Sequence, residues 1–219
     1  PLLAALGQSP EPDRAIVRLE RLLEALPSGI NLFRLLEARP GLLEQLMAII
    51  TLAPPLADDL ARRPALFDAL IDRSAHDLPE SVPALQRAMQ RAEPRGNYEA
   101  LLDRIRVVTG EARFALGVQL ISGTHDPLDI AHGFAVVAEA ALQTALAGTV
   151  AEFAKTHGTI EGSEMVILGL GRLGGEALTH ASDLDIIYLF TGDHGAESDG
   201  ERPMSATRYY NRLAQRVGA

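Results

Sequence analysis

The sequence predicts a mostly α fold with a small α+β part: a helical bundle over residues 1–160, then the beginning of a smaller strand-bearing domain over residues 161–219. Three observations predict it. Apolar residues recur at three- and four-residue steps over most of the first 160 positions, which is the period of a helix. Proline and glycine cut that pattern into pieces. Apolar runs of strand length occur at residues 165–170 and 186–190, with a glycine turn after the first.

Composition bounds the function classes. With 219 residues and 47% hydrophobic content the chain can bury a sizeable core. A net charge of −9 leaves no broad basic footprint for nucleic acid, so small molecules or proteins are the expected partners. There is no cysteine, hence no disulfide and no thiolate site. No run of eighteen apolar residues and no basic-then-apolar leader is seen, so the expectation is a soluble, cytoplasmic protein without a membrane partner. The chain opens at Pro1 rather than Met and stops at Ala219 inside a helical pattern, as expected of a piece of a longer protein.

Each element has its own reason. Residues 13–26 set Ile16, Leu19, Leu22, Leu23 and Leu26 at helical spacing, and Pro27, Ser28 and Gly29 end the helix. Helices follow over 31–38, 41–52 and 56–62, stopped by Pro40 and by Pro54 and Pro55. Residues 39–46 and 63–70 look alike, each with a proline in the first turn of an amphipathic run, but two copies are weak support for a solenoid. Polar, proline-bearing breaks at 76–84 and 93–97 flank a short helix over 85–92. Residues 98–120 and 130–153 read as two long antiparallel helices, with Asp126 as N-cap and Pro127 at the first helical position of the second. The alanine-rich stretch 135–147 permits close packing, and 155–162 is a loop into the first strand. Residues 191–201 read as a mobile polar loop. Ser205 then caps a helix over 206–217 with Tyr209, Tyr210, Leu213 and Val217 on one side and Arg208, Arg212 and Arg216 on another; such a stripe is more often a solvated face than a phosphate site.

The chemistry concentrates between residues 165 and 190. A strand breaks at Gly171-Arg172-Leu173-Gly174-Gly175, where backbone can approach a ligand closely. Ser182-Asp183-Leu184-Asp185 then opens the second strand, and alternation puts Asp183 and Asp185 on one face. Paired carboxylates repel unless a cation lies between them, and hard oxygen ligands suit Mg²⁺ held together with phosphates. Gly169, Gly171 and Gly174 also spell the dinucleotide fingerprint, with Asp193 near the end of the second strand as a ribose-binding acid, so a dinucleotide-binding oxidoreductase is an alternative. Against it, residues 175–181 are too few for a parallel crossover, which needs roughly ten or more; the strands should be antiparallel or offset neighbours. A turn with Asp183 merely capping it, on a helical scaffold, is a third reading. His76, His125, His132, His157, His180 and His194 have no ligand-like spacing.

These residues carry a resemblance. Gly171-Arg172-Leu173-Gly174-Gly175 followed by Ser182-Asp183-Leu184-Asp185 resembles the signature of the polymerase-beta-like nucleotidyltransferases, in the form found in the family of glutamine-synthetase adenylyltransferase/adenylyl-removing enzymes. It extends to residues 52–70, to 113–142 with Gly117-Val118-Gln119 and Asp126-Pro127, and to Asp199-Gly200-Glu201 leading into 209–216. The resemblance implies a helical bundle followed by the start of a nucleotidyltransferase domain. It also implies two catalytic halves, one transferring AMP from ATP to a tyrosine of glutamine synthetase and one removing it by phosphorolysis. The loop and helix after the second strand look more like the C-terminal, adenylylating half. By the same resemblance Asp183 and Asp185 bind Mg²⁺, or the metal and the attacking tyrosine hydroxyl. Gly171, Arg172, Gly174, Gly175 and Ser182 hold the triphosphate, and the PII signal protein and glutamine regulate. Arg172 stands where a lysine is more usual, and Ala177 where a glutamate is. The superfamily's third carboxylate has no counterpart in an apolar strand here, so the 219-residue chain alone is expected to catalyse poorly.

Overall fold

A computed structural model describes residues 2–26, 28–71, 77–79, 81–91 and 97–218. Pro27, His76 and most of the break expected at 93–97 lie outside them. The helices are α1 (Leu2–Gly7), α2 (Pro12–Ala25), α3 (Gly29–Ala38), α4 (Pro40–Leu52), α5 (Pro54–Arg62), α6 (Leu66–Ile71), α7 (Val82–Met89), α8 (Tyr98–Ser122) and α9 (Pro127–His157). Strand β1 (Met165–Gly169), the one-turn helix α10 (Gly171–Gly174), strand β2 (Ile186–Phe190) and α11 (Ala206–Val217) complete the order. The chain is mostly α with a small α+β part, as its sequence predicts.

Proline sets the helix boundaries by one repeated device. Glu11, Arg39, Ala53 and Arg63 each precede a proline, and all four sit at φ between −129° and −136° with ψ between 72° and 83°. The proline ring excludes the residue before it from the helical region, so at Arg39 and Ala53 one helix stops and the next starts on the ring's fixed φ; at Glu11 the proline opens α2 alone, and at Arg63 α5 has ended while α6 begins only at Leu66. At Ala53 the result is a 111° bend between α4 and α5.

The chain divides into two compact units, Pro1–Leu78 with Glu111–Ile130, and Pro79–Gly110 with Ala131–Ala219. In the first, Leu22, Leu46, Ile49, Ile50, Leu60 and Phe114 are buried together. Along α2 the buried side is Ala15, Leu19 and Leu22, and Ile16, expected in that stripe, is 48% exposed. One residue is a 100° rotation, enough to carry Ile16 off the core face. Fully buried Gln119 donates from Nε2 to the Asp77 carbonyl at 3.1 Å.

In the second unit α7, α8 and α9 meet at Met89, Ile105, Val108 and Ala140. Residues 98–110 of α8 run antiparallel to α9: the Tyr98 hydroxyl lies 2.9 Å from that of Thr149, and Leu101 fills the space that a side chain on Gly148 would need. Asp126 caps α9 by accepting from the Leu128 amide at 2.8 Å. By length and mean hydropathy, 1.5 over its most apolar window, α9 would also span a bilayer. Core helices share that property. Glu139 and Gln143 interrupt the apolar run and join Gln86 in a chain of 2.8 Å hydrogen bonds.

β1 and β2 pair antiparallel, Met165 opposite Phe190 and Gly169 opposite Ile186. Helix α11 closes over the Phe190 end, where Tyr210 stacks on Phe190 at 4.6 Å and Tyr209 meets Phe153 edge-on at 4.9 Å. The polar segment after β2, expected to be mobile, is pinned in its second half. Asp199 and Gly200 donate their amides to Thr159 and His157, Arg202 donates to Thr156, and Ser198 is buried. Ser205 occupies the N-cap position of α11 without a side-chain capping bond, and pairs with Glu197 in an isolated bridge.

Candidate nucleotide site

The hairpin runs one bond beyond its strands. The Leu170 amide donates to the Asp185 carbonyl at 2.8 Å, so Asp185 sits opposite Leu170 although β2 begins at Ile186. Gly171 turns the chain with φ +52°, and a Cβ there would run into Asp185 Oδ2. Only glycine lets that carboxylate lie against the bend. The turn then winds once, with Gly174 donating to Leu170 at 3.0 Å and Gly175 to Gly171 at 3.1 Å. A Cβ on Gly174 would meet the Gly169 carbonyl, so the turn folds back tightly on the end of β1.

Glu176 leaves the turn with φ +52°, a conformation uncommon for a residue with a side chain, and its carboxylate meets His132 Nδ1 of α9 at 2.9 Å. The Ala177 amide donates back to the Arg172 carbonyl at 2.8 Å, and Leu178 is buried. Thr179 to Ser182 form a turn: the Ser182 amide donates to the Thr179 carbonyl at 3.1 Å, and the Thr179 amide donates to Ser182 Oγ at 3.0 Å. Arg172 Nη1 reaches the same Oγ at 3.4 Å.

Asp183 and Asp185 are both exposed in the extended stretch before β2. Of the expected residues, Gly171 and Asp185 come together at the bend, Arg172 and Ser182 come together beside it, and Asp183 lies two positions before Asp185. Among the described residues no cluster of three or more His, Cys, Asp or Glu could hold a metal ion. The donor chemistry at the bend, hard carboxylate oxygen over a cradle that a Cβ would fill, fits a divalent cation carrying phosphates.

The antiparallel register rules out the strand–helix–strand crossover on which the dinucleotide alternative rests. Asp193, its candidate ribose ligand, instead accepts from the Gly195 amide at 2.8 Å inside its own turn. His157 contacts the Arg202 carbonyl through Nδ1 at 2.8 Å, and His180 and His194 pack against Phe134 and Phe190. Arg208, Arg212 and Arg216 lie on the outer side of α11, with Arg216 5.1 Å from the Phe153 ring centre.

A cleft of about 330 Å³ opens between α9 and the hairpin, lined by His132, Glu139, Gln143, Ile167, Leu173 and Glu176 among others. It lies under the other face of the sheet, because Ile167 and Gly169 alternate with Leu168 and Leu170, on whose side Asp185 falls. Carboxylates and glycine bend, rather than cleft size, therefore mark the candidate site. On the aspartates' side Val166, Leu168, Ile187 and Leu189 form an open apolar face, each 39% to 48% exposed. Burial raises the Tyr188 phenol on the covered face above its ordinary value, and the same effect, with Tyr210 and Asp199 nearby, raises Tyr209.

Comparison with known proteins adds independent support. The family model for glutamate-ammonia ligase adenylyltransferase matches residues 43–219. A bifunctional glutamine synthetase adenylyltransferase/adenylyl-removing enzyme of Mesorhizobium japonicum is 40% identical over 218 residues, 99% of this chain and 22% of that protein. The enzymes of the same name from Bartonella quintana and Brucella melitensis are 37% and 36% identical over the same share. The chain thus spans about a fifth of the length of these relatives.

Proposed function

The chain belongs to the glutamate-ammonia ligase adenylyltransferase family, and from that premise we propose that it contributes the nucleotide-binding start of a catalytic domain transferring AMP from ATP to a tyrosine of glutamine synthetase. Residues 161–219 are that start and residues 1–160 a helical packing and recognition platform. The setting is cytoplasmic, and the regulatory inputs are the PII signal protein and glutamine. The observation that carries this reading is the hairpin itself, which brings the Asp185 carboxylate against Gly171 with Arg172 and Ser182 alongside.

In the proposed mechanism the tyrosine oxygen attacks the α-phosphorus in line, a new P–O bond forms, the α–β anhydride bond breaks and pyrophosphate leaves. Arg172, Ser182 and the backbone of Gly171, Gly174 and Gly175 hold the phosphates. Asp185 and Asp183 are the residues that would hold Mg²⁺, and one of the pair orients the tyrosine hydroxyl and takes its proton. Magnesium, when bound, supplies charge neutralisation at the phosphates. The adenylylating direction is proposed over phosphorolytic removal on the resemblance of the loop and helix after β2 to the C-terminal, adenylylating half.

Titration calorimetry tests the reading. ATP is expected to bind only with Mg²⁺, and Asp183→Asn with Asp185→Asn to abolish binding. Binding of NAD without metal, or ATP binding indifferent to the double substitution, would sink it.

A further inference from the structure

Ser182 and Arg172 are proposed to meet the triphosphate, yet both lie outside the two strands, on exposed or half-exposed chain. Something must hold them. Around Ser182 Oγ stand the Thr179 amide at 3.0 Å, Thr179 Oγ1 at 2.9 Å and Arg172 Nη1 at 3.4 Å, while the Ser182 amide donates to the Thr179 carbonyl at 3.1 Å. Three of these four bonds come from Thr179. The turn is anchored on both sides of that residue, by Leu178, 3% exposed, and by His180, whose ring lies edge-on to Phe134 at 6.2 Å.

We infer that Thr179 is a positioning residue: it fixes the Ser182 hydroxyl, and through it the Arg172 guanidinium, beside the glycine bend before nucleotide arrives. The inference rests on the reading under Proposed function. Its physical content is preorganisation. Donors already held in place lose less freedom when a ligand binds, and a donor released from its support loses affinity without loss of the fold. The bonds made by the Thr179 amide and carbonyl survive any substitution that keeps the backbone, so the hydroxyl is the part a side-chain change removes.

The test compares Thr179→Val, which keeps the shape and removes the hydroxyl, with Thr179→Ser, which keeps the hydroxyl. Mg²⁺-ATP affinity is read by calorimetry on the 219-residue chain, beside its thermal midpoint. Thr179→Val is expected to weaken binding about five- to tenfold, the size of one neutral hydrogen bond, with a midpoint within a few degrees of the parent. Thr179→Ser is expected to restore affinity to within about twofold. Affinity of Thr179→Val equal to the parent, a loss that Thr179→Ser does not rescue, or a loss matched by a collapse of the midpoint would each overturn the inference. If the aspartate double substitution abolishes binding while Thr179→Val leaves it intact, only the role of Thr179 falls. Absence of Mg²⁺-ATP binding by the parent would remove both.

Discussion

Gly171 carries two demands at once, a positive φ and room for the Asp185 carboxylate. Alanine meets neither without strain: the left-handed conformation costs on the order of 1 kcal/mol, and displacement of the carboxylate adds to it. Gly171→Ala is therefore expected to destabilise the chain by about 1–3 kcal/mol in urea unfolding and to weaken Mg²⁺-ATP binding together with stability. A fully stable variant with parental affinity would mean that the close approach does not matter. Tyr209 is a second residue with a measurable signature. Its hydroxyl donates to the Gly158 carbonyl at 2.9 Å, and burial first, then Tyr210 and Asp199, hold its phenol above the ordinary 10.0. The folded state keeps that proton to higher pH than the unfolded chain, so the stability it lends is intact below pH 10 and is lost as pH rises through the raised folded value. Tyr209→Phe should lose about 1 kcal/mol near neutrality from the missing hydrogen bond and show a shallower decline in the alkaline range. Parallel alkaline slopes for the two proteins would count against it.

At the scale of elements, the hairpin was legible because its signals are local. Five apolar residues bounded by acids on one side and by Thr191-Gly192 on the other mark β2, and a short connection forbids a parallel crossover, which left antiparallel or offset strands; the structure selects the antiparallel pair. The proline-punctuated helices were legible for the same reason, with starts moved one or two residues earlier because proline itself opens the helix. What the sequence did not reveal rests on contacts between distant residues. The pinning of Asp199 and Gly200 onto 157–159 is backbone pairing across some forty positions and has no compositional mark. The Thr179–Ser182 turn and the left-handed Glu176 held by His132 are likewise invisible to periodicity. The apolar alternation of β1 and β2 was legible, but its exposure was not: Val166 and Leu189, partners across the ladder, lie on the open face at 39% and 48%. Because these side chains are only half removed from water, Leu189→Thr should cost less than about 1 kcal/mol. Urea unfolding of the variant beside the parent reads the difference. A loss of several kcal/mol would show that this face is packed rather than open.

At the scale of the whole molecule, the question is what one fifth of a relative's length can do by itself. The described residues provide two carboxylates, a glycine bend, one guanidinium and one hydroxyl, and among them no third His, Asp, Glu or Cys joins the pair to hold a metal. Binding and transfer have different requirements. A bend and a few donors suffice to hold phosphates, whereas in-line displacement also needs the charge on the attacking and leaving oxygens to be neutralised at fixed positions. Removing a single such stabilising group from a preorganised site typically lowers turnover by roughly a hundredfold or more. The 219-residue chain is therefore expected to bind Mg²⁺-ATP but to label glutamine synthetase with AMP at least about a hundredfold more slowly than a full-length relative under the same conditions. The assay is transfer of label from α-phosphate-labelled ATP, run beside calorimetry on the same preparation. Transfer at the full-length rate would show that the two aspartates and the glycine bend form a complete catalytic site. Retained binding with lost transfer would place the missing stabilisation in the parts of the longer relatives that this chain does not cover.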